Sequence, residues 1–259
     1  MEENKNKIAI LMDFDNWFPT ILKEDDLDRL QQLLCDVMNI AIENMNDVDY
    51  ISIGLYGGWY SEKILTPKAS TLLTMIPRLK KIFPYRLKYN APLIKGDINL
   101  ATQLYDDETV WYNSYREHIG LPKLRIKDDK LSNTCESNKM GCPIHILKKF
   151  TKNKGTTCHI SSCETKHGEV FYTREQKYVD SMLVCDILSY GIDPNYEEIC
   201  IMGEDCDIFP AFAALRRLNA IMQKSTRIEV FVRNEQLKQE YQSILKQFGA
   251  KMNQIQFDI

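Results

Sequence analysis

Acidic side chains follow two apolar segments of the sequence, at positions where carboxylates can bind a metal ion. Asp13 comes directly after the run Ile8–Met12, and Asp205 and Asp207 come shortly after the run Ile199–Met202. Carboxylates that share a small volume need either a cation to neutralise them or a proton on one of them. Oxygen ligands suit Mg²⁺ or Mn²⁺, and water bound to such an ion attacks a phosphodiester more readily. The pattern therefore predicts a hydrolytic metal centre.

Strands and helices alternate along the sequence around these acids. Uninterrupted apolar runs are typical of strands that are buried on both faces of a parallel sheet. The predicted strands cover residues 8–12, 50–56, 85–89, 199–202 and 228–232. The predicted helices cover residues 25–42, 68–82, 174–190, 207–218 and 235–248. This alternation predicts an α/β fold with helices on both faces of the sheet, and sites in such folds form at the carboxyl ends of the strands.

The predicted helix 174–190 contributes a further acid. Lys177 and Asp180 are three residues apart, which places them on one face of a helix, and Asp186 follows as a second acid near the same site. A single aspartate near the start of a helix is also typical of a cap or of a partner for the helix dipole. In combination with the acids at the strand ends, Asp180 is interpreted as part of the metal centre.

Three segments together resemble the motif series of NYN domains, a branch of the PIN-like nucleases. They are Asp13-x-x-Asn16, Lys177-x-Val179-Asp180-x-x-Leu183-x-x-Asp186 and Gly203-x-Asp205-x-Asp207-Ile208-x-Pro210. The resemblance implies a three-layer α/β/α PIN-like fold with a mainly parallel sheet, forming one domain over residues 1–259. It also implies a metal-dependent endoribonuclease that cuts RNA with Mg²⁺ or Mn²⁺. The catalytic acids would be Asp13, Asp180, Asp205 and Asp207, with Asn16 and Lys177 positioning ligand or phosphate.

Some positions depart from the family pattern or compete with it. Small residues usually stand where this chain has Tyr178 and Glu204, and an acid at position 204 is expected to tune metal affinity or to hinder substrate. The segment Ile94-Lys95-Gly96-Asp97 partly matches the family's Lys-Gly-x-Asp pattern, with the aspartate one position early. Asp97 is therefore an alternative to Asp180 as a ligand of the metal centre. Asp180 is preferred because it lies one helix before the strand that leads to Asp205.

Two other functions are compatible with the sequence. Asp13-Phe14-Asp15-Asn16 after a buried strand also resembles the first motif of haloacid-dehalogenase-like phosphatases, in which the first aspartate attacks phosphorus and the second is the general acid. That family places Thr or Val where Trp17 stands, and it gives the helix with Asp180 no role. Replacement of Asp15 should abolish a phosphatase but only weaken a nuclease. The third function is that of a non-catalytic RNA-binding module.

The segment 113–172 is predicted to be an insertion that binds zinc. Its apolar residues do not recur at the spacing of a helix or a strand, and it contains Cys135, Cys142, Cys158 and Cys163. In a reducing cytosol, such a density of cysteines favours structural Zn²⁺ over disulfides, whereas the alternative is a loop with free thiols. The pattern leaves open whether a histidine replaces one of the cysteines as a ligand. The candidates are His145, His159 and His167.

The same region is basic in an otherwise acidic chain. The formal net charge is −3, which excludes a uniformly basic nucleic-acid binder. Between residues 121 and 177, however, basic residues outnumber acidic ones, and Lys148, Lys149 and Lys152 are candidates for contacts with RNA phosphates. A solvated, lysine-rich loop is the alternative. Trp17, Trp59 and Tyr60 are candidates either for stacking on unpaired bases or for the core.

Composition is that of an ordinary globular protein. The chain has 259 residues, of which 44% are hydrophobic and 27% are charged, and no repeat is visible. The apolar run 8–12 is too short for a signal peptide or a membrane span, so a cytoplasmic protein without a membrane partner is expected. A homo-oligomer and a regulatory protein partner both remain open.

Overall fold

The computed structural model describes residues 6–43, 45, 47–119, 142–144, 164 and 172–256. The chain forms two compact units. The larger unit combines Met1–Tyr115 with Gln176–Ile259, and the smaller one is Arg116–Glu175. Within the smaller unit, Arg116 and Glu175 form an exposed ion pair at 3.1 Å. The predicted insertion 113–172 overlaps this unit, and most of its residues lie outside those that the structure describes.

A six-stranded parallel sheet forms the centre of the larger unit. Its strand order is β10-β9-β8-β1-β2-β5. The strands of this sheet are β1 (Asn6–Asp13), β2 (Val48–Tyr56), β5 (Lys95–Leu100), β8 (Tyr196–Met202), β9 (Arg227–Val232) and β10 (Ala250–Gln254). The remaining strands are β3 (Tyr60–Ser61), β4 (Ile64–Leu65), β6 (Tyr115–Ile119) and β7 (Tyr172–Gln176). The prediction of an α/β fold with a parallel central sheet is confirmed.

Helices cover both faces of this sheet. They are α1 (Phe14–Trp17), α2 (Glu24–Glu43), α3 (Pro67–Leu79), α4 (Val179–Ile192), α5 (Phe209–Met222) and α6 (Glu235–Gln247). Alternation along β1 explains the two layers, because successive side chains of a strand point to opposite faces. Ile8, Ile10 and Met12 pack with α2 and α3 in one core, whereas Ala9 and Leu11 pack with α4, α5 and α6 in the other.

The order in which strands are added to the sheet reverses at β1. This strand pairs in parallel with β2 on one side and with β8 on the other. The connections from β1 to β2 and from β8 to β9 run through helices on opposite faces. Such a reversal leaves a crevice outside the carboxyl ends of the strands, where ligands bind in open α/β sheets. Asp13 ends β1 at this edge, opposite Tyr56 of β2.

Several predicted elements differ from the structure. Residues 85–89 do not form a strand, since the segment makes a single bridge between Tyr85 and Ile94, and the edge strand is Lys95–Leu100. The helix predicted from residue 174 begins at Val179, because residues 174–176 belong to strand β7 and Tyr178 adopts a left-handed conformation before the first helical turn. The short strands β3, β4, β6 and β7 and the last strand, β10, were not predicted.

Candidate metal centre

Asp13 is a buried acid at the end of the central strand, with 6% of its surface exposed. Its carboxylate caps the one-turn helix α1 by accepting a 3.4 Å hydrogen bond from the backbone N–H of Asn16. The side-chain amide of Asn16 also donates to Asp13 Oδ2. Asn16 therefore holds the carboxylate in a fixed orientation, whereas its predicted role in positioning ligand or phosphate stays a prediction.

The structure brings Asp180 next to the acids at the strand ends. Burial raises the pKa of Asp13 to about 6, and the negative charges of Asp180 and Asp15 add to the increase, while the hydrogen bonds from Asn16 oppose it. Asp180 lies at the surface in the first turn of α4, where partial desolvation, followed by the charges of Asp205 and Asp207, raises its pKa. Asp180 therefore lies within electrostatic range of Asp13 and also of Asp205 and Asp207.

Asp205 and Asp207 lie on the exposed turn that follows β8. Asp205 caps the 3-10 helix Cys206–Ile208, and its Oδ1 accepts a 3.0 Å hydrogen bond from the backbone N–H of Asp207. The potential ligand atoms of Asp205, Cys206 and Asp207 all lie within 4.8 Å of one another. The carboxylate oxygens suit Mg²⁺ or Mn²⁺, whereas the Cys206 sulfur favours a softer ion. Sequence reasoning did not identify Cys206 as a member of this group.

Asp97 lies away from this cluster. It pairs in register with Ser52 of β2, whereas Asp13 pairs with Tyr56, four residues further along the same strand. At about 3.3 Å per residue, that offset corresponds to roughly 13 Å. Asp97 instead forms a 2.6 Å ion pair with Lys80, whose hydrogen bond and charge lower the pKa of Asp97 despite partial desolvation. Of the two competitors, only Asp180 neighbours the strand-end acids.

Asp15 has a different environment from Asp13, although the two are separated by one residue. Its carboxylate accepts a 2.8 Å hydrogen bond from the backbone N–H of Gly58, and it is also bonded to Lys68 and Gln176. This clamp ties α1 to the loop after β2, to α3 and to the segment before α4. Asp15, the second aspartate of the phosphatase-like motif, is thus held by groups from three other segments of the larger unit.

Glu204 is engaged by an arginine rather than by the acid cluster. Arg233 donates to both of its oxygens, with 2.9 Å between Nη2 and Oε2, and the Arg233 guanidinium lies 5.3 Å from the centre of the Trp17 ring. These hydrogen bonds lower the pKa of Glu204 although partial burial acts in the opposite direction. Glu204 therefore has its charge paired with Arg233, and its predicted effect on metal affinity or on substrate access stays a prediction.

Two residues near Asp180 differ from the sequence interpretation. Lys177 precedes α4, and its backbone N–H donates to the carbonyl of Ser114 at 2.9 Å, so it does not share a helical face with Asp180. Asp186 is buried and accepts hydrogen bonds from the Tyr56 hydroxyl at 2.5 Å and from the backbone N–H of Tyr105 at 2.8 Å. Burial raises the pKa of Asp186 to about 6. Asp186 thus connects α4 with the end of β2 and with the loop after β5.

The predicted zinc and phosphate ligands lie almost entirely outside the described residues. Cys142 is described and half-buried. The predicted ligands outside the described residues are Cys135, Cys158, Cys163, His145, His159, His167, Lys148, Lys149 and Lys152. Among the aromatic candidates, Trp17 and Trp59 are buried in the core, which removes them as surfaces for base stacking.

Comparison of the chain with protein-family models, with curated proteins and with solved structures finds no match. The resemblance to NYN domains therefore stays a prediction that rests on the motifs. Across the described part of the chain, no helix combines the length and the apolar character needed to cross a membrane.

Proposed function

We propose that this chain is a metal-dependent endoribonuclease of the NYN, PIN-like type that hydrolyses RNA phosphodiester bonds. One observation supports this proposal above the others: Asp180 lies within electrostatic range of Asp13 and of the pair Asp205 and Asp207, so that acids from three segments come together. A cation among these carboxylates would offset the repulsion between their negative charges.

In this proposal each acid has a distinct part. Asp13, Asp205 and Asp207 would hold Mg²⁺ or Mn²⁺, and Asp180 would complete the shell from the start of α4. When bound, such an ion supplies an activated water and stabilises the leaving oxygen. Asn16 keeps the Asp13 carboxylate oriented through its two hydrogen bonds. The Asp15 clamp fixes the backbone that carries both Asp13 and Asn16.

RNA as the substrate is proposed from the motif resemblance, and a cleavage assay tests it. Wild-type protein and Asp13→Asn are incubated with single-stranded and structured RNA in the presence of Mn²⁺ or Mg²⁺. Asp97→Asn is the matched control, because it removes an equal charge from β5, which is separated from β1 by β2 in the same sheet. We expect cleavage by wild type and by Asp97→Asn, and a loss of at least about 100-fold in Asp13→Asn, as expected when a catalytic ligand is removed.

Two results of this assay contradict the proposal. Cleavage by Asp13→Asn at the wild-type rate would show that the acid cluster has no role, and absence of cleavage by wild type with every metal and RNA would remove the activity itself. In the second case, RNA binding without cleavage would favour the non-catalytic module.

A structural zinc site in the segment 113–172 is proposed separately, and metal analysis of the purified protein tests it.

A further inference from the structure

An exposed pair of aromatic rings lies beside the acid cluster. Trp111 and Tyr178 have 37% and 48% of their surface exposed, and their ring centroids are 5.8 Å apart at an interplanar angle of 53°. Tyr178 precedes Asp180 by two residues, so their Cα atoms are at most about 8 Å apart. Trp111 also differs from the other two tryptophans of the chain, which are buried in the core.

Tyr178 adopts a backbone conformation that is costly for its residue type. Its φ of 69° and ψ of −13° lie in the left-handed region, which bulky side chains rarely occupy and which costs on the order of 1–3 kcal/mol. The conformation is fixed on both sides. The backbone N–H of Lys177 donates to the carbonyl of Ser114, and the Tyr178 carbonyl accepts a 2.7 Å hydrogen bond from the backbone N–H of Met182. A glycine would relieve the strain, so a large half-exposed ring at this position points to a use for that ring.

Trp111 is held with similar rigidity. Its backbone N–H donates to the carbonyl of Thr102 at 2.8 Å, and the backbone N–H of Asn113 donates to the carbonyl of Glu62 at 2.9 Å. Both rings therefore stand on backbone that is tied to the larger unit by hydrogen bonds. Surfaces that are ordered before binding lose less entropy on association, which favours a binding role for such a pair.

We propose that Trp111 and Tyr178 form a stacking platform for an unpaired base of a single-stranded nucleic acid, next to the phosphate that is cut. The inference rests on the proposed nuclease function, and it specifies the substrate as single-stranded at the cleavage site. Every base presents a π-face to an aromatic ring, and such stacking contributes about 1–3 kcal/mol per base. A base inside a duplex is already stacked on both faces and cannot use the platform.

Tryptophan fluorescence tests this inference without requiring catalysis. Full-length Asp13→Asn protein is titrated at low salt with a short RNA strand, and separately with a blunt duplex that contains the same strand. We expect the single strand to quench the emission of Trp111, and the duplex to bind at least about 10-fold more weakly, which corresponds to loss of one stacked base. Trp111→Phe should abolish the quench while preserving most of the binding measured by anisotropy.

Variants at position 178 separate stacking from structure. Tyr178→Ala and Tyr178→Gly should each weaken single-strand binding by about 10-fold, whereas Tyr178→Phe should retain it. Tyr178→Gly should at the same time raise the melting temperature, because glycine tolerates the left-handed conformation. Tyr89→Ala is the control, since it removes a ring that is 89% exposed on the 85–94 segment and should leave binding unchanged.

Equal binding of single strand and duplex would overturn the platform, and so would undiminished binding by Tyr178→Ala. The proposed function fails by a different result. If wild type binds and is quenched by the single strand but never cleaves it, the nuclease proposal is refuted and the platform stands. If RNA is cleaved equally well by wild type, Tyr178→Ala and Trp111→Ala, the platform is refuted and the nuclease stands.

Discussion

Replacement of Asp15 by asparagine tests whether this acid is a structural clamp or a catalytic group. The side chains of Asp15 and Lys68 are only 17% and 13% exposed, so their ion pair is largely shielded from water. Removal of one partner from a buried pair costs about 3–5 kcal/mol. Lys68 keeps the Phe18 carbonyl and the Phe14 ring as partners, and asparagine can still accept from Gly58. We therefore expect a loss of about 2 kcal/mol in the free energy of unfolding, which is below that range because these partners remain.

Urea denaturation of a double-mutant cycle measures this energy directly. The proteins are wild type, Asp15→Asn, Lys68→Met and the double variant, and the coupling energy should be about 1–2 kcal/mol for groups in contact. Under conditions in which each variant is fully folded, RNA cleavage by Asp15→Asn should stay within about 10-fold of wild type, since a positioning group typically contributes about that much. Loss of all activity in folded Asp15→Asn, together with hydrolysis of small phosphomonoesters by wild type, would refute the reasoning in favour of a phosphatase.

Three further predictions follow from described contacts. Cys206→Ser should weaken binding of Cd²⁺ by at least about 10-fold and leave Mn²⁺ affinity unchanged, because only the softer ion prefers sulfur; isothermal titration with both ions checks this. Burial raises the pKa of Glu198 from 4.5 to about 7. Between these pH values the folded protein keeps a proton that the unfolded chain has lost, so the free energy of unfolding should fall as the pH rises from 4.5 to about 7. Glu198→Gln should remove that fall, which is on the order of 3 kcal/mol, in denaturation series at pH 5 and 8. The groups that surround Glu198 are Arg227, Glu229, Lys251 and Cys200. Gly96→Ala places a Cβ atom 2.6 Å from a carbonyl oxygen of β2 and should lower the free energy of unfolding by about 2 kcal/mol. In Gly203→Ala the nearest atom lies 3.7 Å from the new Cβ atom, and the loss in the same assay should be less than about 0.5 kcal/mol.

The sequence was sufficient for the parts of the fold that depend on local patterns. The apolar run before Asp13 predicted a strand buried on both faces, and β1 has that position in the sheet. The spacing of apolar residues predicted α2 nearly to its ends. Strand-end acids could be grouped because parallel strands place their carboxyl ends on one edge. Asp13 and Asp205 were therefore the most accessible part of the site to sequence reasoning.

Features that depend on tertiary partners could not be derived in this way. Nothing local distinguishes Asp15 from Asp13, and the difference arises from Lys68, which lies far away in the sequence. The pairing of Glu204 with Arg233 joins the ends of β8 and β9, which are separated in the sequence by α5. The start of α4 depends on the left-handed conformation of Tyr178, and tyrosine has no intrinsic preference for that conformation. Pattern analysis therefore placed Lys177 on a helix that begins two residues later.

Binding of Mn²⁺ to the metal-free protein tests the central claim most directly. Titration followed by electron paramagnetic resonance compares wild type with Asp13→Asn, Asp205→Asn and Asp97→Asn. We expect Asp13→Asn and Asp205→Asn each to weaken Mn²⁺ binding by at least about 10-fold, as expected for loss of a carboxylate ligand. Asp97→Asn should match wild type, because its carboxylate is paired with Lys80 away from the cluster. Mn²⁺ affinity that is unchanged by Asp13→Asn, or that falls as much in Asp97→Asn, would contradict a single metal centre at the carboxyl edge of β1 and β8.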